Sequence, residues 1–552
     1  MTAPGDTSFL TAEELESAKQ DDIGAGSVDP NVLGAPAEAH NPLGYDVGFT
    51  SAVFLNLSQM IGVGIYSTPG SILKSVGSIG LFLILWLIGP LVSFAGLNVY
   101  NELASMFPKR SGAEVVYLEQ AYPNPRLFVP ITFAMTSVLL NFSAVNSIVF
   151  AQYMLDAFDI ARTPFRTNLL GTGVATFAVA ICCISTKWSL RLVNVITFIK
   201  VATLLFFALT GICVLAGLTS VPDPTANFRD PFEGSSRSGN ALATGLVKIS
   251  YTFLGWANAN NVLAEVKGSD PVRTVRQAGY ASLGIISVLY FFVNVAYVAA
   301  VPKEVLRESG QLAAAAFMRA VFGNAIAVQL LPLFIACSCI GNIIAVTIGH
   351  ARSLREVARQ GIMPYASFFS STKPWGTPVA PILFTYVLTI VVMVAPPAED
   401  AFSFLVDVSS YPGMLFAVGT AAAVWVLRRR RVLEGLAPAP FRASNIAVVV
   451  WLIRSVFLSV MPWVPPEGGS NGGDVSFWYA TYCAVGLLIV AAACFYYYMS
   501  IVLLPRLGGY EIVEEVEELS DGALTKRLTR RYPGEGASLG TERTPLLDQR
   551  RQ

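Results

Sequence analysis

The sequence predicts an all-α integral membrane protein with twelve transmembrane helices, the first ten of which form two inverted five-helix halves. Three observations lead to this fold class. The 552 residues are 54% hydrophobic and only 13% charged, so there are too few polar side chains to cover a soluble surface. Apolar stretches long enough to cross a bilayer recur along the chain. Two of them, five spans apart, are interrupted in mid-membrane by glycine or polar residues.

Runs of apolar residues define the predicted spans. They cover about residues 47–66, 79–107, 127–155, 169–184, 190–218, 241–266, 279–301, 325–348, 379–394, 401–427, 446–464 and 477–504. Residues 111–122 contain Glu114 and Glu119 and are too polar to span, so we predict a short cytosolic helix there. The tails, residues 1–44 and 506–552, are rich in Gly, Pro, Ser and charge and are predicted to be disordered. Residues 45–505 then form the membrane domain.

The distribution of Lys and Arg predicts that both termini face the cytosol. The loops on one side hold twice as many of these residues as the loops on the other, and four arginines at 428–431 are the strongest anchor. The polar N-terminal segment lacks the features of a signal peptide, so the first span has to direct insertion. Residues 542–547 have the acidic-x-x-x-Leu-Leu form of an endosomal and vacuolar sorting signal, and Lys19 is either a modification site or an unmodified tail lysine.

Composition also excludes several classes of function. A net charge of zero offers no basic field for nucleic acid. The seven cysteines all lie in apolar segments, which is typical of small core residues rather than of a disulfide framework. The chain has two histidines, His40 and His350, no HExxH or CxxC spacing, and no constellation of nucleophile and base. We therefore expect no enzyme activity, no metal and no cofactor.

The first interruption comprises Ile61, Gly62, Val63, Gly64 and Ile65. Glycine costs a helix interior about 1 kcal/mol relative to alanine, so a pair of glycines indicates a break. Backbone groups released in mid-bilayer are tolerated only when they are buried in protein or line a cavity, where they can bind a ligand. The alternative is that the two glycines let a neighbouring helix pack closely.

The second interruption lies in the sixth span, where Ser250, Gly255, Asn258, Asn260 and Asn261 crowd into mid-membrane. Five spans separate it from the first. Because five is odd, the second half enters the membrane from the opposite side, which predicts an inverted repeat with a site near the midplane. For the asparagines the alternative is interhelical hydrogen bonding, at about 0.6–2 kcal/mol per bond.

The ends of the broken helices predict the class of ligand. Released backbone carbonyls suit an ammonium group, and released N–H groups suit a carboxylate. The N–H groups are those of the half-helix that starts after Gly64. The carbonyls are those near Ile61 and those of Tyr251, Thr252, Phe253 and Leu254. A ligand that carries both charges a few ångströms apart is an amino acid.

Four of the ionisable residues within the predicted spans need a specific explanation. Lys200 sits about ten residues, roughly 15 Å, inside the fifth span, where a charge costs several kcal/mol unless it is paired. We favour a functional role for it over snorkelling, with carbonyls of the broken first span as its partners. Glu265, near the cytosolic end of the sixth span, is either a gate latch or an ordinary salt bridge. Asp407 and Arg454 have no assigned role.

Residues 61–74, Ile-Gly-Val-Gly-Ile-Tyr-Ser-Thr-Pro-Gly-Ser-Ile-Leu-Lys, resemble the first-span signature of the amino acid–polyamine–organocation superfamily, in particular its L-type amino acid transporter branch. Further residues fit this branch in order and spacing. They are residues 101–104 and 108–122, Gly255, Trp256, Glu265, Asp270, Pro271 and Arg273, and Ser353, Arg355, Arg359, Gly361 and Pro364. The likeness covers about residues 44–430. Residues 41–45 and 67–77 look most like fungal methionine permeases.

The resemblance implies a LeuT-type fold of five plus five helices that moves amino acids by alternating access. It implies a binding role for the backbone of Ile61, Gly62, Val63 and Gly64 and a gating role for Tyr251. Lys200 matches a lysine that takes the place of a sodium ion in the family, so sodium coupling is not expected. Ala144 and Ile148 of the third span match residues that line the side-chain pocket, which suits an apolar side chain.

The resemblance also bears on partners. Mammalian members of the branch bond to a heavy subunit through a cysteine after the third span, but residues 156–168 contain no cysteine. We therefore expect the bilayer, an amino acid and protons as partners, without a disulfide-linked heavy subunit. The predicted function is secondary active transport of neutral or sulfur-containing, methionine-like L-amino acids by proton symport or exchange. We expect it in the plasma membrane, with a vacuolar or endosomal membrane as the alternative.

Two other functions stay open from the sequence. An amino acid sensor would keep the binding fold and signal through its tails. A channel is disfavoured because the sequence has no charged rings or repeated filter motif.

Overall fold

The computed structural model describes residues 35–36, 38, 41–140, 142–158, 160–309, 312–394, 401–465, 469 and 478–532. Lys19, the sorting signal at 542–547 and most of the predicted N-terminal tail lie outside these residues. Helices of 13 to 36 residues make up most of the bundle. They are Ile79–Met106, Phe128–Leu140, Ala144–Ala157, Pro164–Ile184, Thr186–Leu215, Pro271–Ala300, Asn324–Arg359, Val379–Val394, Ala401–Leu433, Asn445–Val460 and Thr481–Tyr497.

Shorter elements connect these helices or extend them. The α-helical ones are Glu114–Ala121, Lys303–Glu308, Ala313–Phe322, Ala366–Ser370 and Leu504–Gly508. There are 3-10 turns at Ala226–Phe228 and Met461–Trp463 and a π-helical segment at Tyr498–Leu503. The helix predicted between the second and third spans is thus present as Glu114–Ala121.

Ten helices in the described ranges are long and apolar enough to cross a membrane, so the chain is a multi-pass integral membrane protein. Two of the predicted spans are not among the ten. The ninth is Val379–Val394, which is apolar but has 16 residues. The sixth is divided into the helix Gly239–Thr252 and the 3-10 helix Asn258–Glu265.

Both predicted interruptions are breaks in the backbone. The first helix runs over Phe49–Met60 and resumes as Gly64–Ser67 and Pro69–Val76. We name residues 61–63 the first break and residues 253–257 the second break. Gly255 has a φ of 116°, a conformation that a residue with a side chain rarely adopts, so the sixth helix cannot continue through it.

The third predicted span contains an interruption that its apolar sequence does not indicate. One helix ends at Leu140 and the next begins at Ala144. The backbone N–H of Ser143 donates to the hydroxyl of Thr389 at 3.0 Å, so a tertiary acceptor takes the place of a helical one. The faces that the two parts of this span present are therefore not those of one continuous helix.

The first broken helix is enclosed by other helices. Its segment Phe49–Met60 packs against three of them, namely Thr186–Leu215, Pro271–Ala300 and Asn324–Arg359. The side chain of Asn56 donates to Ser282 Oγ at 3.2 Å and accepts from the backbone N–H of Ala259 at 2.8 Å. Since Ala259 belongs to Asn258–Glu265, this asparagine joins the two broken helices.

The prediction that residues 506–552 are disordered is wrong for part of this range. Glu511–Glu518 and Leu524–Arg531 form an antiparallel hairpin in which an acidic strand faces a basic one. Glu514 illustrates the pairing, since it accepts from Lys526 and from Arg126, each at 2.9 Å. Composition indicated disorder because it counts charges without showing that opposite charges pair across strands.

The C-terminal hairpin is attached to the membrane domain. At its turn, Asp521 accepts from the backbone N–H of Thr372 at 2.6 Å and from Ser371 Oγ at 3.2 Å. Arg359 donates from Nε to the carbonyl of Leu524 at 2.9 Å, and Glu38 pairs with Arg355 at 2.8 Å. The hairpin therefore joins the segment before the first helix to the loop that follows Asn324–Arg359.

Candidate substrate-binding site

The first break leaves a set of backbone groups with an unusual pattern of hydrogen bonding. The N–H groups of Val63, Gly64 and Ile65 have no acceptor among the described residues. The carbonyls just before them are occupied, because Ser338 Oγ donates to the carbonyl oxygen of Ile61 at 2.9 Å and to that of Gly62 at 3.1 Å. The first break is therefore followed by N–H groups that are free to donate, whereas its carbonyls already accept hydrogen bonds.

Lys200 fixes the carbonyl side of the first break. Its side chain is 1% exposed, and its Nζ donates to the carbonyls of Ser58 at 2.8 Å and of Ile61 at 2.7 Å. A weaker contact of 3.2 Å reaches Ser58 Oγ. These are the carbonyl partners that the sequence analysis expects. No acidic side chain pairs with Lys200 in the described part of the chain, so its positive charge faces backbone dipoles at the end of a helix.

The second break presents the complementary groups. The helix Gly239–Thr252 ends there, and the carbonyls of Thr252, Phe253 and Leu254 have no donor among the residues that the structure describes. A Cβ atom added at Gly64 would lie 3.1 Å from Thr252 Cγ2 and 3.2 Å from its Cα. The hydroxyls of Thr68 and Thr252 are 3.2 Å apart. The residues that flank the two breaks are thus close neighbours.

A cavity of about 270 Å³ lies between the breaks. The predicted site residues that line it are Gly62, Val63, Gly64, Tyr251 and Thr252. Six others do not line it, namely Ile61, Ile65, Ala144, Ile148, Phe253 and Gly255. The side chains of Ile61, Ile65 and Phe253 are fully buried in the surrounding core, and Gly255 lines a neighbouring cavity.

The third span contributes residues other than those that the resemblance indicated. Ala144 and Ile148 are buried away from the cavity, whereas Phe142, Val145 and Asn146 line it. The physical reason is the interruption before Ala144, which changes the face that this helix turns toward the breaks.

An asparagine pair that the sequence analysis missed supports the first break. Asn146 donates to Asn342 Oδ1 at 2.9 Å, and Asn342 in turn donates to the carbonyl of Gln59. A Cβ atom added at Gly62 would lie 2.9 Å from Asn342 Nδ2. The available signal was an amide side chain within each of two apolar spans, which indicates hydrogen bonding between helices.

Glu265 forms a bidentate ion pair at one end of the second broken helix. Its carboxylate accepts from Arg352 Nε at 2.9 Å and from Arg352 Nη2 at 3.1 Å. The same guanidinium donates to Thr186 Oγ1 at 3.0 Å, and both charged side chains are at most 2% exposed. The pair joins the second broken helix to the helices Asn324–Arg359 and Thr186–Leu215.

The chemistry of the cavity follows from these contacts. The free N–H groups of Val63 and Gly64 can bind a carboxylate, and the free carbonyls of Thr252 and Leu254 can bind an ammonium group. Lys200 and Ser338 already use the carbonyls of Ile61 and Gly62, so the acceptors for an ammonium group lie mainly at the second break. No cluster of His, Cys, Asp and Glu suited to a metal occurs among the described residues.

Comparisons of the sequence with known proteins point to one family. The family model for amino acid permeases matches residues 47–491. The chain is 30% identical over 507 residues to the high-affinity methionine permease of Saccharomyces cerevisiae, covering 91% of this chain and 87% of that protein. It is 25% identical over 429 residues to the human large neutral amino acids transporter small subunit 2, covering 76% of each. A solved manganese transporter of Eremococcus coleocola has the same overall fold, with a TM-score of 0.53 and 13% identity over 87% of this chain and 99% of that one.

Proposed function

This chain belongs to the amino acid permease family, and we propose that it is a secondary active transporter that carries amino acids across a membrane by alternating access. The observation that carries the proposal is the pair of breaks that flank one cavity. Residues with free N–H groups beside the first break and residues with free carbonyls beside the second line the same space of about 270 Å³. A small zwitterion satisfies both sets of groups at once.

The same proposal includes the architecture needed for alternating access. Twelve spans, with the short helix Val379–Val394 and the divided sixth helix counted among them, form two inverted five-helix halves plus two further helices. Residues 45–505 are the permease domain, flanked by cytosolic tails. The plasma membrane is the proposed location, with no disulfide-linked heavy subunit.

The wall of the cavity favours a neutral, apolar side chain on the substrate. Phe133, Leu140, Val145 and Phe416 line the cavity, and no Lys, Arg, Asp or Glu is among the described residues of its wall. A thioether fits such a wall because it is apolar and makes favourable contacts with aromatic rings. The proposed substrates are therefore neutral or sulfur-containing L-amino acids such as methionine, and the yeast relative is likewise named for methionine.

Lys200 and Tyr251 have distinct roles in the proposed cycle. Lys200 holds the first break open by donating to the carbonyls of Ser58 and Ile61, so no sodium ion is needed there. The proposed driving force is a proton gradient or a counter-transported amino acid. Tyr251 lines the cavity beside the second break and is the proposed gate over the substrate. The Glu265–Arg352 pair holds one end of the pathway closed.

Uptake of radiolabelled methionine into proteoliposomes tests the proposal. We expect saturable uptake that leucine and other neutral amino acids reduce and that lysine and glutamate do not. Uptake that increases with an inward proton gradient supports symport, and uptake that requires an amino acid inside the vesicle supports exchange. Methionine binding without any flux would instead identify an amino acid sensor that retains the transporter fold.

A further inference from the structure

Arg454 is a charged side chain in the middle of an apolar helix, and the proposed transport cycle does not use it. It belongs to Asn445–Val460, within a candidate span that ends at Trp463. Its guanidinium stacks on Trp451, with Cζ 4.8 Å from the ring centroid. Within the described ranges this guanidinium has no ion-pair partner and no hydrogen-bond acceptor. A cation without an ion-pair partner costs several kcal/mol at this depth, so an anionic ligand beside Arg454 would be stabilised.

Arg454 lines a cavity of about 670 Å³ that adjoins the proposed substrate site. The two cavities share Tyr251 and Leu254. Apolar and aromatic side chains form most of the wall of the larger one, including those of Trp256 and Met414. A cavity of this size and lining is typical of sites for ligands much larger than one amino acid.

The second break adds a group of hydrogen-bond donors to the same cavity. Gly255, Trp256 and Ala257 line it, and their backbone N–H groups have no acceptor among the residues described. Successive N–H groups in a turn form a concave site for an anion. The rings of Trp256 and Trp451 meet edge to face with centroids 5.7 Å apart. Because Arg454 stacks on Trp451, the free amides and the guanidinium belong to the same wall of the cavity.

The acidic residue on this wall, Glu114, forms no ion pair with Arg454 in the described part of the chain. Glu114 lines the cavity, but its carboxylate accepts from the hydroxyl of Tyr100 at 2.5 Å. Burial raises the pKa of Glu114, although the hydrogen bond from Tyr100 lowers it. The positive charge of Arg454 and the free amides of the second break are therefore left for a ligand.

We propose that this cavity binds an amphipathic monocarboxylate with a long apolar body, such as a fatty acid. The carboxylate contacts Arg454 and the N–H groups of residues 255–257, and the apolar body lies along the aromatic wall. Access is from the hydrocarbon of the bilayer, because Ile88 and Ile453 line the cavity and are 39% and 62% exposed. A second zwitterionic substrate fits less well, since its ammonium group would lie near an unpaired guanidinium.

Binding of tritiated oleate to the purified full chain tests this site, independently of any amino acid transport. We expect saturable binding that becomes at least about tenfold weaker in Arg454→Gln, because a charge-assisted hydrogen bond is lost, and intermediate in Arg454→Lys. Arg191→Gln is the matched control. Arg191 also stacks on a tryptophan of its own helix, Trp188, with Cζ 4.7 Å from the ring centroid, but it does not line the cavity. Its substitution should leave oleate affinity unchanged.

A second measurement separates loss of the site from loss of the fold. Without ligand, Arg454→Gln removes an unpaired charge, so its unfolding temperature should equal or exceed that of the parent chain. Oleate should raise the unfolding temperature of the parent chain and of Arg191→Gln only. If Arg454→Gln is instead unstable, binding by Arg454→Lys supports the site and absence of binding by that variant overturns it.

Three results would overturn the proposal. The first is equal oleate affinity in the parent chain and Arg454→Gln. The second is displacement of oleate by oleyl alcohol as readily as by unlabelled oleate, which would show that the carboxylate is not recognised. The third is occupation of the cavity by phosphatidylserine from vesicles with no binding of oleate, which would assign the site to a phospholipid.

Discussion

Replacing Lys200 with methionine tests how the first break is organised. Methionine keeps most of the volume of the lysine side chain but cannot donate a hydrogen bond. The carbonyl of Ile61 keeps Ser338 as a donor, whereas the carbonyl of Ser58 keeps none among the described residues. One buried carbonyl left without a donor costs about 1–3 kcal/mol. If the break has to adopt this geometry for transport, the same energy lowers uptake by roughly 5–150-fold.

The assay is uptake of radiolabelled methionine per unit of folded protein in proteoliposomes. The variant loses the hydrogen bond to the carbonyl of Ser58, which lowers its free energy of unfolding. It also no longer buries a charged group, which raises that free energy and partly compensates for the loss. We therefore expect a large fall in uptake with a small change in unfolding temperature. Lys74→Met is the control, since Lys74 is exposed and lies on the same broken helix. Undiminished uptake by Lys200→Met would refute the reasoning and leave Lys200 as a packing residue.

Three further predictions concern other contacts. Gly62→Ala places a methyl group 2.9 Å from the amide nitrogen of the supporting asparagine, so we expect methionine uptake to fall about tenfold or more, whereas Gly173→Ala, which has open space, should transport normally. Glu265→Gln leaves the buried Arg352 without its ion-pair partner and should destabilise the protein by about 3–5 kcal/mol in thermal unfolding. A double variant that also removes the charge of Arg352 should recover part of this loss. Hydrogen bonds from the loop hold the pKa of Asp521 below its usual value, although burial alone would raise it. The C-terminal hairpin should therefore dock most stably above the pKa of the free Asp521 carboxyl, and docking should weaken as the pH falls through the lower pKa that Asp521 has in the docked hairpin. Asp521→Asn should make the hairpin more accessible to protease at neutral pH. A double variant that is no more stable than Glu265→Gln would contradict the argument about the ion pair. Equal resistance of the hairpin to protease in Asp521→Asn and in the parent chain would contradict the argument about docking.

The positions of both breaks could be predicted from the sequence because glycine and clustered polar residues are costly inside a spanning helix. Lys200 could also be matched to its carbonyl partners, since a buried ammonium group needs acceptors and the broken helix supplies them. These features depend on local composition and on the low polarity of the membrane. Both quantities can be read from a sequence without knowing how the helices pack.

Other parts of the site depend on tertiary contacts that composition does not show. The interruption before Ala144 depends on the Thr389 hydroxyl, which lies far away in sequence. It decides that Asn146, and not Ile148, faces the cavity. The C-terminal hairpin likewise depends on pairing between an acidic strand and a basic strand. In each case the partner is distant in sequence, so the segment alone gives no signal.

The contact between Gly64 and Thr252 has a consequence for how these positions can change. Because a methyl group at residue 64 would lie 3.1 Å from Thr252, the two residues share one limited volume. A smaller residue at 252 removes the two side-chain contacts but not the contact with the Cα atom at 3.2 Å. Gly64→Ala should therefore lose activity alone and regain part of it when combined with Thr252→Ala. The two sites are 188 positions apart in the chain, 252 minus 64. Related permeases should therefore show paired substitutions at these positions.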